Sequence, residues 1–371
     1  MDFRYAIING EMKKIRELTP DEFKAFCDLA ESKNYMQSIE MYQRYLDEGR
    51  EQYLLGLVDD NGVITVAGLA HIIYSRFGKK VFSFSRGPIT GTDNIKDLLK
   101  FLSECKKFFK TKHGMTLQVT LNLMASEVPD NFVKEMQKLG YKRLGEYEQV
   151  KWVYVLDFSQ VENLPVVKPR AKRTDLIKPE IDPEAEQILF RHLRTSHRRY
   201  IRYAEERYGI KVRELKVSEY KVLQDLLEES GKAHGFAPRN QKFFEQLAKY
   251  FGDNIVAIVA ELPDKTPVAA AFFILLGNEV IYLSGGFDRE YKKMGAPHLV
   301  QWTMIKYAYA NGYKQYNFWG TKPNLNDGVF QFKEGFHGEM REFVDAFITG
   351  LSPLGAVYTK KIHYAKVRRD L

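Results

Sequence analysis

The sequence predicts an α/β protein made of two copies of one unit, each a mixed central sheet flanked by helices. One order of elements (two helices, a hairpin, a strand, a helix and a strand) occurs twice, about 200 residues apart. The chain has 371 residues, more than the roughly 250–300 at which a single core stops growing. Its composition, 44% hydrophobic and 13% aromatic, is that of a folded protein with cores to fill.

In the first copy, Thr19-Pro20-Asp21-Glu22 is an N-cap with proline at the first helical position. A second helix over 35–49 ends at Gly49. Gln52–Val58, the turn Asp59-Asp60-Asn61-Gly62 and Val63–Tyr74 read as a hairpin. Val81–Ser85 is a strand broken by Arg86-Gly87-Pro88; a helix then runs to about Lys112 and Thr116–Asn122 is a strand. A helix at 130–138 leads to Gly140-Tyr141. In the second copy, 218–230 and 240–251 are helices, and Ile255–Glu261 with Val268–Leu276 is a hairpin. Val280–Ser284 is a strand stopped by Gly285-Gly286, Pro297–Ala310 a helix, and Lys314–Phe318 a strand. Between the copies, 158–190 is rich in Pro, Glu and Asp. The expected domains are 1–151 plus 345–371, with a returning C-terminal helix, and 152–344.

The net charge is +8 and the pI about 9.1, which favours an anionic partner. Residues 168–173 and 191–202 hold much of the excess. No apolar run approaches the ~18 residues that cross a bilayer. Met1-Asp2-Phe3-Arg4 lacks the apolar core of a signal peptide, so the expected location is the cytoplasm. Cys27 and Cys105 have neither metal nor redox spacing. No His/Cys/Asp/Glu cluster has zinc spacing and no Ser-His-Asp arrangement is legible, so no metal is expected.

One stretch organises the chain. Tyr316-Asn317-Phe318-Trp319-Gly320 reads as a strand end, and Gly328–Phe336 sets Lys333 among Phe330, Phe332 and Phe336. A lysine against apolar rings either snorkels to water or holds a charge that meets a substrate. Near the other end of the second copy, Arg198 and Arg202 share a helix face, with Tyr200 and Tyr203 interleaved. That pattern suits phosphate contact or stacking on RNA bases as well as a solvated face.

A strand, a glycine-containing loop, a helix and a strand resemble the core of the GNAT acetyltransferase fold, in which loop amides and a helix N-terminus hold a pyrophosphate. The second loop here, Lys292-Lys293-Met294-Gly295-Ala296-Pro297, ends in a proline that has no N–H to donate. This disfavours coenzyme A.

The tandem GNAT-like pair, the Arg86-Gly87-Pro88 loop, the basic segment before Gly209-Ile210-Lys211-Val212, the Trp319-Gly320 strand end and Phe332-Lys333-Glu334-Gly335-Phe336 together resemble the Fem family of peptidoglycan-bridge aminoacyltransferases. The resemblance runs from Gln37-Ser38 to Ser352-Pro353. It implies transfer of an amino acid from aminoacyl-tRNA to the stem-peptide amine of a peptidoglycan precursor, lipid II or UDP-MurNAc-pentapeptide. It implies no cofactor beyond the tRNA co-substrate. By the same resemblance, Lys333 is the catalytic cation near the reacting ester, stabilising the oxyanion or holding the tRNA end, with Phe332 beside it as a substrate contact. Arg199, Tyr200, Arg202 and Arg239 then meet precursor or tRNA, and Arg86 with Gly87 lines a first-domain cleft. Arg44 supplies the charge of a family lysine. Asn317 stands where the family often has Asp, and Phe244–Phe251 passes to Ile255 without room for the helical arm of some members. The protein is expected to act as a monomer, with peripheral membrane contact through its basic tail. The competing functions are an acyl-CoA N-acyltransferase on a cell-envelope substrate and a non-catalytic RNA- or membrane-surface-binding protein.

Overall fold

A computed structural model describes residues 13–367 apart from 32, 75–77, 91–93, 146–149 and 235–236. Met1–Arg4 and the tail residues Arg368 and Arg369 lie outside the described residues. The chain divides into two compact units, Met1–Lys151 with Glu342–Leu371, and Trp152–Arg341.

The first unit contains β1 (Lys14–Glu17), α1 (Pro20–Leu29), α2 (Ile39–Asp47), β2 (Gln52–Val58), β3 (Ile64–Tyr74), β4 (Lys80–Ser85), α3 (Ile95–Thr111), β5 (Thr116–Thr120), α4 (Phe132–Lys138) and β6 (Lys142–Gly145). The second contains β7 (Trp152–Asp157), α5 (Pro183–His192), α6 (Thr195–Arg202), β8 (Lys211–Glu214), α7 (Tyr220–His234), α8 (Gln241–Phe251), β9 (Ile255–Glu261), β10 (Pro267–Leu276), β11 (Glu279–Phe287), α9 (Ala296–Ala310), β12 (Gln315–Gly320), α10 (Gly328–Glu334) and β13 (Glu339–Glu342). The chain ends with β14 (Ala346–Gly350) and α11 (Pro353–Val367).

Each unit holds a seven-stranded sheet, in the orders β1-β2-β3-β4-β5-β14-β6 and β13-β7-β12-β11-β10-β9-β8. The two orders match position for position. β4 and β5 pair parallel, as do β11 and β12. The strand after β6 in sequence, β7, does not enter the first sheet; it fills the slot beside β12. The matching slot beside β5 is filled by β14. This exchange is why the first unit needs the C-terminal segment, which rejoins it from Glu342.

Local chemistry accounts for the elements. Thr19 and Glu22 form a reciprocal capping box at α1. Asp182 caps α5 and Pro183 opens it; this helix was not expected inside the Pro- and acid-rich 158–190 segment. β11 continues through Gly285-Gly286 to Phe287, where the sequence suggested a stop. A Cβ on Gly286 would lie 2.3 Å from the Leu226 carbonyl of α7. The glycine therefore marks a close backbone approach, not a turn.

In the first unit the Gln37 and Gly87 motifs form one contact. The Gln37 carboxamide donates to the carbonyls of Leu69 and Ser85 and accepts from the Leu69 N–H at 2.7 Å. A Cβ on Gly87 would sit 2.3 Å from that carboxamide. Gly87→Ala should therefore lower stability by about 1–3 kcal/mol, the usual scale of overpacking. Gly328→Ala, with open space around it, should be neutral, and thermal melts of the two variants check both outcomes.

Candidate active site

α10 places Lys333. The Asp327 carboxylate caps the helix by accepting from the Phe330 N–H at 2.8 Å. Phe330 and Lys333, three apart, share a face, and both are buried. Lys333 is only 4% exposed, so it does not snorkel. Its ammonium donates to the Gly320 carbonyl at 2.5 Å and to that of Trp319 at 3.4 Å.

Two successive carbonyls of a regular strand face opposite ways and cannot meet one cation. Trp319 breaks the alternation with φ +60°. Its N–H is held by Asn317 Oδ1 at 2.8 Å, and the pairing of β12 with β7 shifts register between Asn317 and Gly320. Backbone strain of this kind collects at functional sites. Asn317 also donates from Nδ2 to Glu279 at 3.0 Å, and burial pushes the Glu279 carboxyl up to about 7. Asparagine can accept on one side and donate on the other. Aspartate would set a second carboxylate against Glu279.

The sheet opens at the same place. β4 and β5 pair over five positions, Val81↔Thr116 to Ser85↔Thr120. β11 and β12 pair over three and stop at Ile281↔Asn317. The register of β10 against β11 shifts between Phe272 and Phe273, which leaves Leu283 as an extra residue on β11. Such a bulge bends the strand that carries it, and β11 runs on beside β10 without following β12. Tyr282, on this diverging stretch, sets its ring 6.0 Å from the Lys333 ammonium. Tyr282, Ser284, Gly285, Trp319 and Gly320 are half-buried, so backbone of both strands borders an opening. Ligands of α/β sheets bind beyond strand C-termini where neighbouring strands part.

Burial pulls Lys333 down to about 7, with the Asp327 charge opposing, and no ion pair to it occurs among the described residues. The ammonium and neutral amine are thus close in free energy near neutral pH. Lys138 occupies the matching slot at the end of α4 in the first unit. It is exposed and paired with Glu135 at 2.7 Å.

The other expected site residues are placed differently. Tyr200 and Phe332 both pack on His298, at ring distances of 4.7 and 5.0 Å. A Cβ on Gly295 would lie 2.1 Å from the Tyr200 carbonyl. α6 therefore covers the start of α9, where a GNAT loop would cradle a pyrophosphate. Arg199 and Arg202 are exposed; Arg199 lies over the Tyr200 ring at 5.7 Å and Arg202 over Phe190 at 5.3 Å. Arg239 is exposed over Phe243 at 5.2 Å. None of these arginines is bonded to Lys333 among the described residues.

In the first unit, Arg86 is 2% exposed. Its N–H meets Thr120 Oγ1 at 3.0 Å, and its guanidinium donates to the carbonyls of Leu121 and Val150 and lies 3.6 Å from the Phe343 ring centre. The fold holds Arg86 by its two terminal nitrogens, and Gly87 against Gln37, while the buried Arg86 Nε has no hydrogen-bond partner among the described residues. Burial and φ +54° are features that a sequence does not display. Arg44 is 8% exposed and pairs with Glu48 at 2.8 Å. Sequence reasoning missed Tyr282, His197 and His298. Glycines mark the close approach of two of them: a Cβ on Gly335 would lie 2.0 Å from the His197 ring, and one on Gly285 would lie 2.3 Å from the Tyr282 hydroxyl.

The placement of Lys333 has a stability signature. Its folded pKa near 7 lies below the ordinary lysine value of 10.5. The unfolded chain therefore binds more protons between these values, and wild-type stability rises with pH across that window. Below about pH 7 the full cost of burying the charge is present. The melting-temperature difference, Lys333→Met minus wild type, should be largest at pH 6 and shrink towards pH 10. A difference independent of pH would place the ammonium in water.

Comparison with known proteins agrees with this architecture. The sequence profile of the FemAB family matches residues 18–266 and 262–364. The aminoacyltransferase FemA of Staphylococcus aureus is 23% identical over 427 aligned positions, covering 93% of this chain and 97% of that protein. The alignment is longer than the chain, so FemA carries residues that this chain lacks. Among solved structures, FemX superposes with a TM-score of 0.73 at 15% identity, covering 94% of this chain and 100% of FemX. A tandem GNAT protein from the clavulanic acid pathway superposes at 0.55 and 10% identity, covering 92% and 99%. At these identities the structures speak for the fold, two GNAT-like units in tandem. The family profile spans most of the sequence, and the chain belongs to the FemAB family.

Proposed function

We propose that the chain is an aminoacyltransferase of peptidoglycan-bridge assembly, and that the opening between β11 and β12 receives its donor ester. The observation that carries this is Lys333, a buried cation held by two re-aimed carbonyls at the edge of the opening. The donor is aminoacyl-tRNA and the acceptor is the stem-peptide amine of a peptidoglycan precursor. The amine nitrogen attacks the ester carbonyl, a C–N bond forms, and the ribose oxygen leaves as the C–O bond breaks. The nitrogen loses a proton and the ribose oxygen gains one. An ammonium has three N–H donors; the Trp319 and Gly320 carbonyls take two, and the third serves the oxyanion of the tetrahedral intermediate. A donor at developing negative charge contributes roughly 3–4 kcal/mol.

An amine attacking an activated ester needs no protein nucleophile, so the remaining work is positioning in a dry site. The reaction as written needs no cofactor or metal. Arg199, Arg202 and Arg239 supply exposed guanidinium groups for phosphates of tRNA or precursor. Acyl-CoA is disfavoured as donor because Tyr200 covers the start of α9. No helix among the described residues is long and apolar enough to cross a membrane. The reading places the protein in the cytoplasm. Leu354 and Val357, 56% and 52% exposed on α11, with Lys360 and Lys361, supply a face for peripheral contact with acidic lipid.

The decisive assay offers the purified chain labelled aminoacyl-tRNA, acyl-CoA and a peptidoglycan precursor. Label should reach the precursor from tRNA only, and Lys333→Met should lower turnover at least 100-fold with folding kept. Label arriving from acyl-CoA, or a fully active Lys333→Met, would sink the proposal. In the wild type, kcat/KM should fall above about pH 7 as the free enzyme loses the Lys333 proton. Lys333→Arg, charged at every working pH, should lack that alkaline fall at whatever residual rate it retains.

A further inference from the structure

Seven residues form a weak helix by themselves, so α10 holds Lys333 only as firmly as its surroundings grip it. The last carbonyls of the helix show the grip. The Gly335 N–H returns to Gln331 at 3.3 Å, that of Phe336 to Lys333 at 3.1 Å and that of His337 to Glu334 at 3.0 Å. This tightening of the last turn skips the Phe332 carbonyl, next to Lys333. His197 Nε2 takes it at 2.8 Å.

A carbonyl only accepts, so Nε2 carries the proton. Nδ1 faces Ser196 Oγ at 3.5 Å. The imidazole is 5% exposed, and burial lowers its pKa against the opposing Phe332 bond. Its ring meets Phe336 edge-on at 4.8 Å and His298 at 4.6 Å. A Cβ on Gly335 would clash with this ring, 2.0 Å from Cε1.

The neighbours of His197 act on the same turn. The Arg194 N–H donates to the Gly335 carbonyl at 3.0 Å, and its guanidinium pairs with Glu334. His192 Nε2 meets the His337 carbonyl at 2.9 Å, and His337 Nδ1 meets that of His192 at 2.6 Å. The basic segment that looked like a phosphate face thus turns its first half inward, onto residues 332–337.

We propose that His197 is a positioning residue for Lys333, its Nε2–H fixing the last turn of α10 so that the ammonium stays on the Trp319 and Gly320 carbonyls. The inference rests on Lys333 being the catalytic cation, but its test need not. His197→Phe keeps a ring and removes the donor; His197→Gln restores an N–H of similar reach. The primary readout is independent of activity: acetylation of Lys333 by acetic anhydride, resolved by peptide mass spectrometry across pH.

In the wild type Lys333 should titrate near 7. In His197→Phe the freed ammonium reaches water, so its titration should move up by at least one pH unit. The kcat for transfer should fall about tenfold or more, the scale of a misplaced reacting group, with the donor KM changed less than threefold. His197→Gln should return most of both quantities. If His197→Phe does not fold, Gly335→Ala displaces the imidazole from the other side and should give the same upward shift. A Lys333 titration unmoved in whichever of these variants folds overturns the proposal. So does a His197→Gln variant as impaired as His197→Phe, since the ring and not the bond would then matter. A moved titration with unchanged turnover leaves His197 in place and removes Lys333 from the chemistry instead.

Discussion

The second unit is arranged around one uncomfortable interaction, a buried ammonium held by two carbonyl groups and, among the described residues, paired with no carboxylate. Burying a cation without an anion costs several kcal/mol, and proteins usually avoid it by pairing the charge or letting it snorkel. Here neither happens. Three local departures from regular structure combine to hold Lys333: the left-handed backbone at Trp319, the extra residue in β11 and the skipped carbonyl at Phe332. Each is a small distortion, and together they aim one nitrogen at one spot.

That arrangement explains why the site contains so little else. A buried ammonium near the point of half-protonation responds strongly to a neighbouring negative charge. On the proposed function, an incoming phosphate or a developing oxyanion would supply the partner that the fold withholds. An anion at the site therefore gains interaction energy that water or a carboxylate would already have taken. Asn317 fits the same logic. Its amide satisfies Glu279 and the Trp319 N–H without placing a formal charge beside the lysine.

Much of this was legible in the sequence, and the limits are physical. Strand and helix periodicity, Gly and Pro punctuation and the repeat order are local, so the duplicated α/β plan showed. The aromatic run around Lys333 also showed, but its rings pack on Tyr154, His197 and Phe318, and the ring near the ammonium, Tyr282, is distant in sequence. What failed to show depends on contacts between distant residues. Arg86 and Arg44 look like available cations, but their partners, Leu121, Val150 and Glu48, are identified only once the chain is folded. His197 looked like part of a solvated basic face because Arg198 and Arg199 flank it. Helical geometry turns adjacent residues about 100° apart, so one side chain of that run points inward while its neighbours reach water. Gly285 and Gly286 looked like a break because glycine has several uses, and only the approach of α7 decides between them.

The two units also set one sequence motif in two different surroundings. Both place a lysine at the end of the helix before the final edge strand, followed two residues later by a glycine and then a buried aromatic ring, Gly140-Tyr141 and Gly335-Phe336. In the first unit the parallel strands stay paired for five positions, the sheet is closed, and Lys138 turns out to Glu135. In the second the pairing ends after three, and the strand ends that come free are what the lysine can reach. Burying Lys138 in the first unit would set its charge against a closed ladder whose carbonyls are already bonded. An inward lysine therefore goes with strand ends that are free to receive it, and in β11 the extra residue at Leu283 lies just beyond the last positions paired with β12.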